Sequence, residues 1–266
     1  MRIMCLNAWG GTLHDRLLPY LADAAPDVLC LQEVIHSPAT GAEWLTYRDG
    51  SHILQQRANL FREVCRALPG HAATFCPAAQ GVLWDGDRSV PSRWGLATFV
   101  GEVHAVTGQA QGFVHKSYGA DGYGTHPRSR SGHGVRLHDH VRNRAVSVTH
   151  MHGLRDLRGK MDTPERDRQA ERLLALAERV TEPGGLSIIC GDFNVAPDSA
   201  TLRLLRDAGF AELVTRHAPD GTRSSHYSKP GRFADYMLIS DERAVEGFAV
   251  IRHPEVSDHC PLLLEV

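Results

Sequence analysis

Two nearly uninterrupted apolar runs, Val28-Leu-Cys-Leu31 and Leu186-Ser-Ile-Ile-Cys190, each break off into polar residues. Gln32-Glu33 follows the first, and Gly191-Asp192-Phe193-Asn194 the second. Short apolar runs of this kind read as strands buried on both faces, which requires layers of structure above and below them. Ile3 to Leu6 repeats the pattern and ends at Asn7. Near the other end of the chain, Val256-Ser-Asp-His-Cys-Pro-Leu262 carries Asp258 and His259 into another apolar run. Carboxylates, amides and one histidine are therefore delivered from strand ends across the whole chain. That set is what metal-assisted phosphoester cleavage needs.

The chain has 266 residues and a net charge of -2, which argues against broad electrostatic capture of nucleic acid but leaves a local basic patch open. Its six cysteines are scattered with no Cys-x-x-Cys pair, and several lie in apolar runs, so reduced buried thiols and a cytoplasmic location are expected. The N-terminal residues lack the apolar core of a signal peptide, and no apolar stretch has membrane length, so neither secretion nor a membrane span is expected.

Further elements follow from periodicity. Asp15 is expected to cap a helix carrying Leu17, Leu18 and Leu21, and the spacing from Ile53 to Leu68 predicts a second helix closed by Pro69-Gly70. Short strands are expected around 73–75, 82–84 and 96–100. Residues 115–144, rich in Gly, Arg and His, read as a mobile loop leading into strands at Val135–Leu137 and Ala145–Thr149. Thr163-Pro164 opens the clearest helix, with Ala170, Leu173, Leu174, Ala177 and Val180 as its buried stripe. Thr201 to Ala208 reads as another helix, and Tyr236–Ile239, Phe248–Ile251 and Leu262–Val266 as strands. With no linker, repeat or low-complexity tract, residues 1–266 read as one domain.

Glu33 stands where a buried strand surfaces, in reach of a hard cation that prefers carboxylate oxygens. Of Asp192 and Asn194, one would hold the attacking water and the other offer an amide to a phosphate oxygen; an Asp/Asn turn is the competing reading. On an extended segment Asp258 would face a metal while His259 turns toward phosphate, its imidazole oriented by Asp235. His150 and His152 share one strand face. Two histidines without a third ligand make a poor zinc site, and contact with substrate fits them better.

Together these motifs resemble the endonuclease/exonuclease/phosphatase superfamily, from Asn7 to His259. The resemblance implies an α/β fold, a four-layer α/β/β/α sandwich of two mixed sheets flanked by helices, with which the alternation of strands and helices is compatible. It implies Glu33 as principal Mg²⁺ ligand, with Mn²⁺ an alternative, and Asn7 and Asp258 assisting. Asp192 would align the water, Asn194 would contact phosphate, and His259 with Asp235 would form the transition-state dyad. His150 or His152 would match the family histidine of the diesterase branch, with His152 favoured.

Trp9 stands where abasic-site endonucleases carry an acid, and Thr149-His-Met-His152 where they carry Tyr-x-Pro-Asn. Leu6-Asn-Ala-Trp-Gly10 is closer to some sphingomyelinases, although no membrane-binding hairpin is evident. The implied activity is Mg²⁺-dependent phosphoester hydrolysis, on a phosphodiester first, with nucleic acids and nucleotides among the candidate substrates. Arg128, Arg130 and His133 would wall the cleft. A nuclease, a sugar or inositol phosphate monoesterase, and a catalytically silent binding module are the rival readings.

Overall fold

The computed structural model describes residues 1–50 and 52–266. Its strands are β1 (Arg2–Asn7), β2 (Val28–His36), β3 (Trp44–Asp49), β4 (His52–Arg57), β5 (His71–Asp85), β6 (Arg88–Gly101) and β7 (Val106–His115). They continue with β8 (Arg130–Asp139), β9 (Arg144–His152), β10 (Leu186–Asp192), β11 (Ala211–Glu212), β12 (Asp235–Ile239), β13 (Gly247–Val250) and β14 (Leu262–Glu265). The helices are α1 (His14–Ala24), α2 (Leu60–Ala67), α3 (Pro164–Val180), α4 (Ala200–Asp207) and α5 (Val214–His217).

Two mixed sheets form, one of eight strands in the order β13-β14-β1-β2-β6-β5-β3-β4 and one of six in the order β11-β12-β10-β9-β8-β7. Each has one parallel pair at its centre, β1 with β2 and β9 with β10, among antiparallel neighbours. Alternation along the strands sorts side chains into layers. Ile3, Cys5, Val28 and Cys30 join Val148, Cys190 and Met237 in the core between the sheets. Met4, Leu6, Leu29 and Leu31 turn the other way, onto Leu17 and Leu21 of α1 and Leu60 and Val64 of α2. Leu173 and Ala177 of α3 and Leu202 and Leu205 of α4 cover the far face of the second sheet. The result is the four-layer α/β/β/α sandwich. Burial on both faces explains why the central strands read as unbroken apolar runs, and each such Leu or Ile contributes roughly 1.5–3 kcal/mol.

The Thr163 side chain accepts from Arg166 N at the start of α3, with Pro164 in the first turn. Three expectations are corrected. The span 53–68 is not one helix: β4 pairs with β3 along its whole length, and only Leu60–Ala67 is helical. Ile53 and Leu54 matched a helical period by chance; Ile53 is 66% exposed on an outer strand. The loop at 115–144 is also shorter than expected, because β7 runs to His115 and β8 begins at Arg130. Asp15 lies in the first turn of α1 but makes no capping bond. All six cysteines are free, and among the described residues no helix is long and apolar enough to cross a membrane.

Candidate active site

The two parallel pairs end at the same place. Asn7 pairs in register with Gln32 in one sheet, and Asp192 with both His152 and Asp235 in the other. Across the gap Asn7 Nδ2 donates to Asp192 Oδ2 at 3.0 Å, a bond between the sheets. Ser257 Oγ donates to Asn7 O at 2.7 Å and ties the C-terminal segment to the same point.

Local backbone sets the aim of several groups. The register of β2 against β6 slips between Leu31 and Val34, and Glu33 inside this bulge has φ 55°. A bulge re-aims a side chain that a regular strand would have turned into a core. Gly191 has φ 143°, and a β-carbon there would meet Met151 O at 2.1 Å, so only glycine allows β10 to close on β9 just before Asp192. Asn194, with φ 54°, donates its backbone N–H to Asp192 Oδ1 at 3.0 Å and its Nδ2 to Gly153 O at 3.4 Å.

His259 Nδ1 lies 2.8 Å from both carboxylate oxygens of Asp235, and Thr222 Oγ1 donates to Asp235 Oδ2 at 2.6 Å. Burial, with Arg223 beside it, pushes the imidazole down to about 4, and burial pushes the Asp235 carboxyl up to about 6. At neutral pH the pair is then a carboxylate accepting from Nδ1–H of a neutral ring. Nε2 of that ring faces Asp192 Oδ2 and Asp258 Oδ1, each at 3.7 Å. Asp258 and His259 therefore converge rather than diverge. The segment that carries them is not a regular strand, so the alternation expected of an extended chain does not apply.

Arg223 binds the two together: its Nη1 donates to Asp258 Oδ2 at 2.9 Å and lies against His259 Nε2. Sequence reasoning missed it. It sits on an irregular segment, 35 residues from Asp258, and no periodicity marks it. Its one signal is that Arg223 pairs with His259 in an isolated bridge, visible only once the chain is folded.

His152 and Arg130 complete the surround. His152 Nε2 is 3.7 Å from Asp192 Oδ2 and 3.9 Å from Glu33 Oε1, and its ring packs 5.2 Å from that of Trp94. Arg130 donates from Nε to Gly153 O at 2.8 Å, and its guanidinium lies 4.7 Å from the Trp94 ring. Burial pulls Arg130 down to about 10, against the pull of Glu33 and Asp192.

Two proposed contacts lie elsewhere. His150 is fully buried between the sheets, its Nε2 2.8 Å from Thr98 Oγ1 and its Nδ1 3.2 Å from Gln32 Nε2. His133 is also fully buried, on the same Thr98 hydroxyl at 2.7 Å. Both are interior histidines rather than substrate contacts, because each sits deeper along its strand than the edge where the site opens. Arg128 is at the surface but already engaged, with Asp49 at 2.9 Å and the Tyr47 ring at 5.6 Å.

The donor set fits a hard divalent cation. Burial first, and then the Asp258 and Asp192 carboxylates, push the Glu33 carboxyl up to about 7. Asp258 Oδ1 is buried with no hydrogen-bond partner among the described residues. A cation held by Glu33 and Asp258 would answer both, and Mg²⁺ takes such oxygens; Asn7 Oδ1, which here accepts from Trp9 N at 3.0 Å, would join them by giving up that bond. Asp192, Asp235 and His259 also offer atoms within 4.8 Å of one another. Asp235 and His259 are satisfied by each other, however, so a cation there would have to break that pair.

A sequence profile of the Endonuclease/Exonuclease/phosphatase family matches residues 4–259. No curated protein sequence matches the chain. The fold is similar to the mannosyl-6-phosphatase of Bacteroides thetaiotaomicron VPI-5482, with TM-score 0.68 and 13% identity over 100% of this chain and 98% of that one. It is also similar to a humanized D. rerio TDP2, with TM-score 0.61 and 15% identity over 99% and 97% of the two chains. The human Nocturnin catalytic domain with bound sulfate gives 0.60 and 16% identity over 99% of this chain and 92% of that one. The chain belongs to the endonuclease/exonuclease/phosphatase family.

Proposed function

We propose that this chain is a Mg²⁺- or Mn²⁺-dependent phosphodiesterase. The observation that carries the reading is the meeting of both sheets at one point: Asn7 bonded to Asp192, and His259, held by Asp235, facing the same carboxylate. Asp192 orients and deprotonates the attacking water, itself oriented by the Asn7 amide and the Asn194 backbone N–H. His259 Nε2 and the Arg223 guanidinium face the phosphoryl oxygens, and Asp235 stabilises positive charge on the imidazole as the transition state forms. His152, Arg130 and the Asn194 side chain bound the pocket. Glu33, Asp258 and Asn7 would hold a divalent cation, which when bound would supply Lewis-acid polarisation of a phosphoryl oxygen.

The six free cysteines favour a reducing compartment such as the cytoplasm. The test is hydrolysis of bis(p-nitrophenyl) phosphate beside p-nitrophenyl phosphate, with Mg²⁺, with Mn²⁺ and with chelator. Diester turnover that needs the cation supports the reading. Preference for the monoester would replace it with a phosphatase, and no turnover of either would sink it.

A further inference from the structure

The site holds two imidazoles, and they are fixed in different ways. His259 has a hydrogen-bond partner on Nδ1, the Asp235 carboxylate at 2.8 Å. His152 Nε2 faces Asp192 Oδ2 at 3.7 Å and Glu33 Oε1 at 3.9 Å, too far for a direct bond to either. Its Nδ1 is buried with no partner among the described residues. An active-site imidazole is ordinarily held in one orientation and one tautomer by the hydrogen bond of its second nitrogen. A buried nitrogen that lacks one gains by turning toward a polar neighbour unless packing prevents it. Only that side-chain rotation is left open. The backbone is pinned, since His152 pairs in register with Asp192 and Gly153 N donates to Asp192 O at 2.6 Å.

The packing comes from Trp94, on the other sheet. Both neighbours of β6 are bulged beside this residue: β2 slips register between Leu31 and Val34, and β5 between Pro77 and Ala79. Trp94 pairs with Ile35 on one side and Ala79 on the other. Such bulges raise the local twist and re-aim side chains. The indole packs against the small cluster that includes Ile35, Leu83 and Val90. Its centroid lies 5.2 Å from that of His152 with the planes tilted by 51°, the spacing of a packed aromatic pair. The Arg130 guanidinium lies 4.7 Å from the same indole, and Arg130 Nε donates to the carbonyl of Gly153, next to His152. Trp94, His152 and Arg130 thus close a triangle across the gap between the sheets.

We propose that Trp94 is a positioning residue, which holds the His152 ring in the orientation that turns Nε2 toward Asp192 and Glu33. This role rests on the hydrolase reading above, in which His152 bounds the substrate pocket. The two carboxylates favour a proton on Nε2, but neither bonds it directly, so the indole sets the aim of the ring. A smaller, non-aromatic side chain at 94 would leave the ring free to turn.

The first test reads the ring itself, by NMR in chelator and without substrate. The His152 ring nitrogens, assigned by their loss in His152→Ala, should report the Nε2–H tautomer in wild type. In Trp94→Leu they should move toward an average of the two tautomers, whereas Trp94→Phe, which keeps an aromatic face, should stay close to wild type. His152 resonances that are the same in Trp94→Leu as in wild type would overturn the proposal. The second test is kinetic. Trp94→Leu should lower kcat for bis(p-nitrophenyl) phosphate about tenfold or more, since misplacing an active-site group by ~1 Å can cost about 10²-fold. KM should change less, and Trp94→Phe should recover most of the loss. In a His152→Ala background the same substitution should matter less than about twofold. An equal loss in both backgrounds would assign the effect to bulk packing or to Arg130 and overturn the role. Should Trp94→Leu fail to fold by circular dichroism, Trp94→Met, whose flexible chain adapts to the space, carries the same comparisons. Should wild type fail to turn over the diester, the hydrolase reading fails, while the ring resonances still decide what holds His152.

Discussion

Asp235→Asn separates the shape of the dyad from its charge. The carboxylate is 2% exposed, meets His259 Nδ1 with both oxygens at 2.8 Å and accepts from Thr222 at 2.6 Å. An amide of the same size keeps the packing but withdraws the negative charge that supports a protonated imidazole. It can also present an N–H to Nδ1, which would favour the wrong tautomer. A buried charge-assisted hydrogen bond contributes roughly 1.5–3 kcal/mol, and about 1.4 kcal/mol is tenfold in rate. The substitution should therefore lower kcat/KM for bis(p-nitrophenyl) phosphate about 10- to 100-fold by the same conversion. The loss should fall mainly on kcat, with the native circular dichroism retained. Since Asp235 acts through His259, the double variant Asp235→Asn/His259→Ala should be no slower than His259→Ala. Full additivity in that cycle, or an Asp235→Asn enzyme as fast as wild type, would refute the role given to Asp235.

Three further outcomes follow from the geometry. Arg130→Ala should cut activity far more than Arg128→Ala, since Arg130 lies against the site whereas Arg128 is engaged by Asp49 and Tyr47, a partly exposed pair of about 0–1 kcal/mol; comparable kcat/KM losses would contradict this placement. Gly191→Ala should lower stability by more than about 2 kcal/mol in denaturant titration, because its φ of 143° and the Met151 carbonyl leave no room for a β-carbon. Burial pushes His133 down to about 4, whereas the unfolded imidazole titrates near 6.5, so as pH falls the unfolded chain takes up this proton first. The stability present above about pH 6.5 should then decline toward pH 4, by about 3 kcal/mol from this one ring. Denaturant midpoints across that range should show a shallower decline in His133→Asn, and an unchanged slope would remove His133 as its source.

The parts of the fold that depend on local pattern could be read directly. Val28–Leu31 and Leu186–Cys190 are strands because nothing polar interrupts them, and Thr163-Pro164 starts a helix because both residues suit its first turn. Features that depend on distant partners could not. β4 exists because it pairs with β3, and its apolar residues alone imitate a helix. His150 and His152 share a face, but which one reaches the opening depends on where β9 ends against β10, and that register places His152 beside Asp192. Arg223 acquires a role only when its loop meets the Asp258-His259 segment, a contact between two irregular stretches. The Gly/Arg/His-rich region misled in another way. Its glycines suggested a loop, yet two of them lie within β8, where Gly132 and Gly134 leave space for Leu176 and Val180 of α3.

The site itself is tested most directly by metal-dependent hydrolysis of bis(p-nitrophenyl) phosphate by Asp192→Ala measured beside wild type. Asp192 is 1% exposed and is the residue on which Asn7, Asn194, His152 and His259 converge. The account predicts that turnover falls about 10²–10³-fold or more while the variant stays folded. Turnover that survives the substitution would place the chemistry somewhere other than the meeting point of the two sheets.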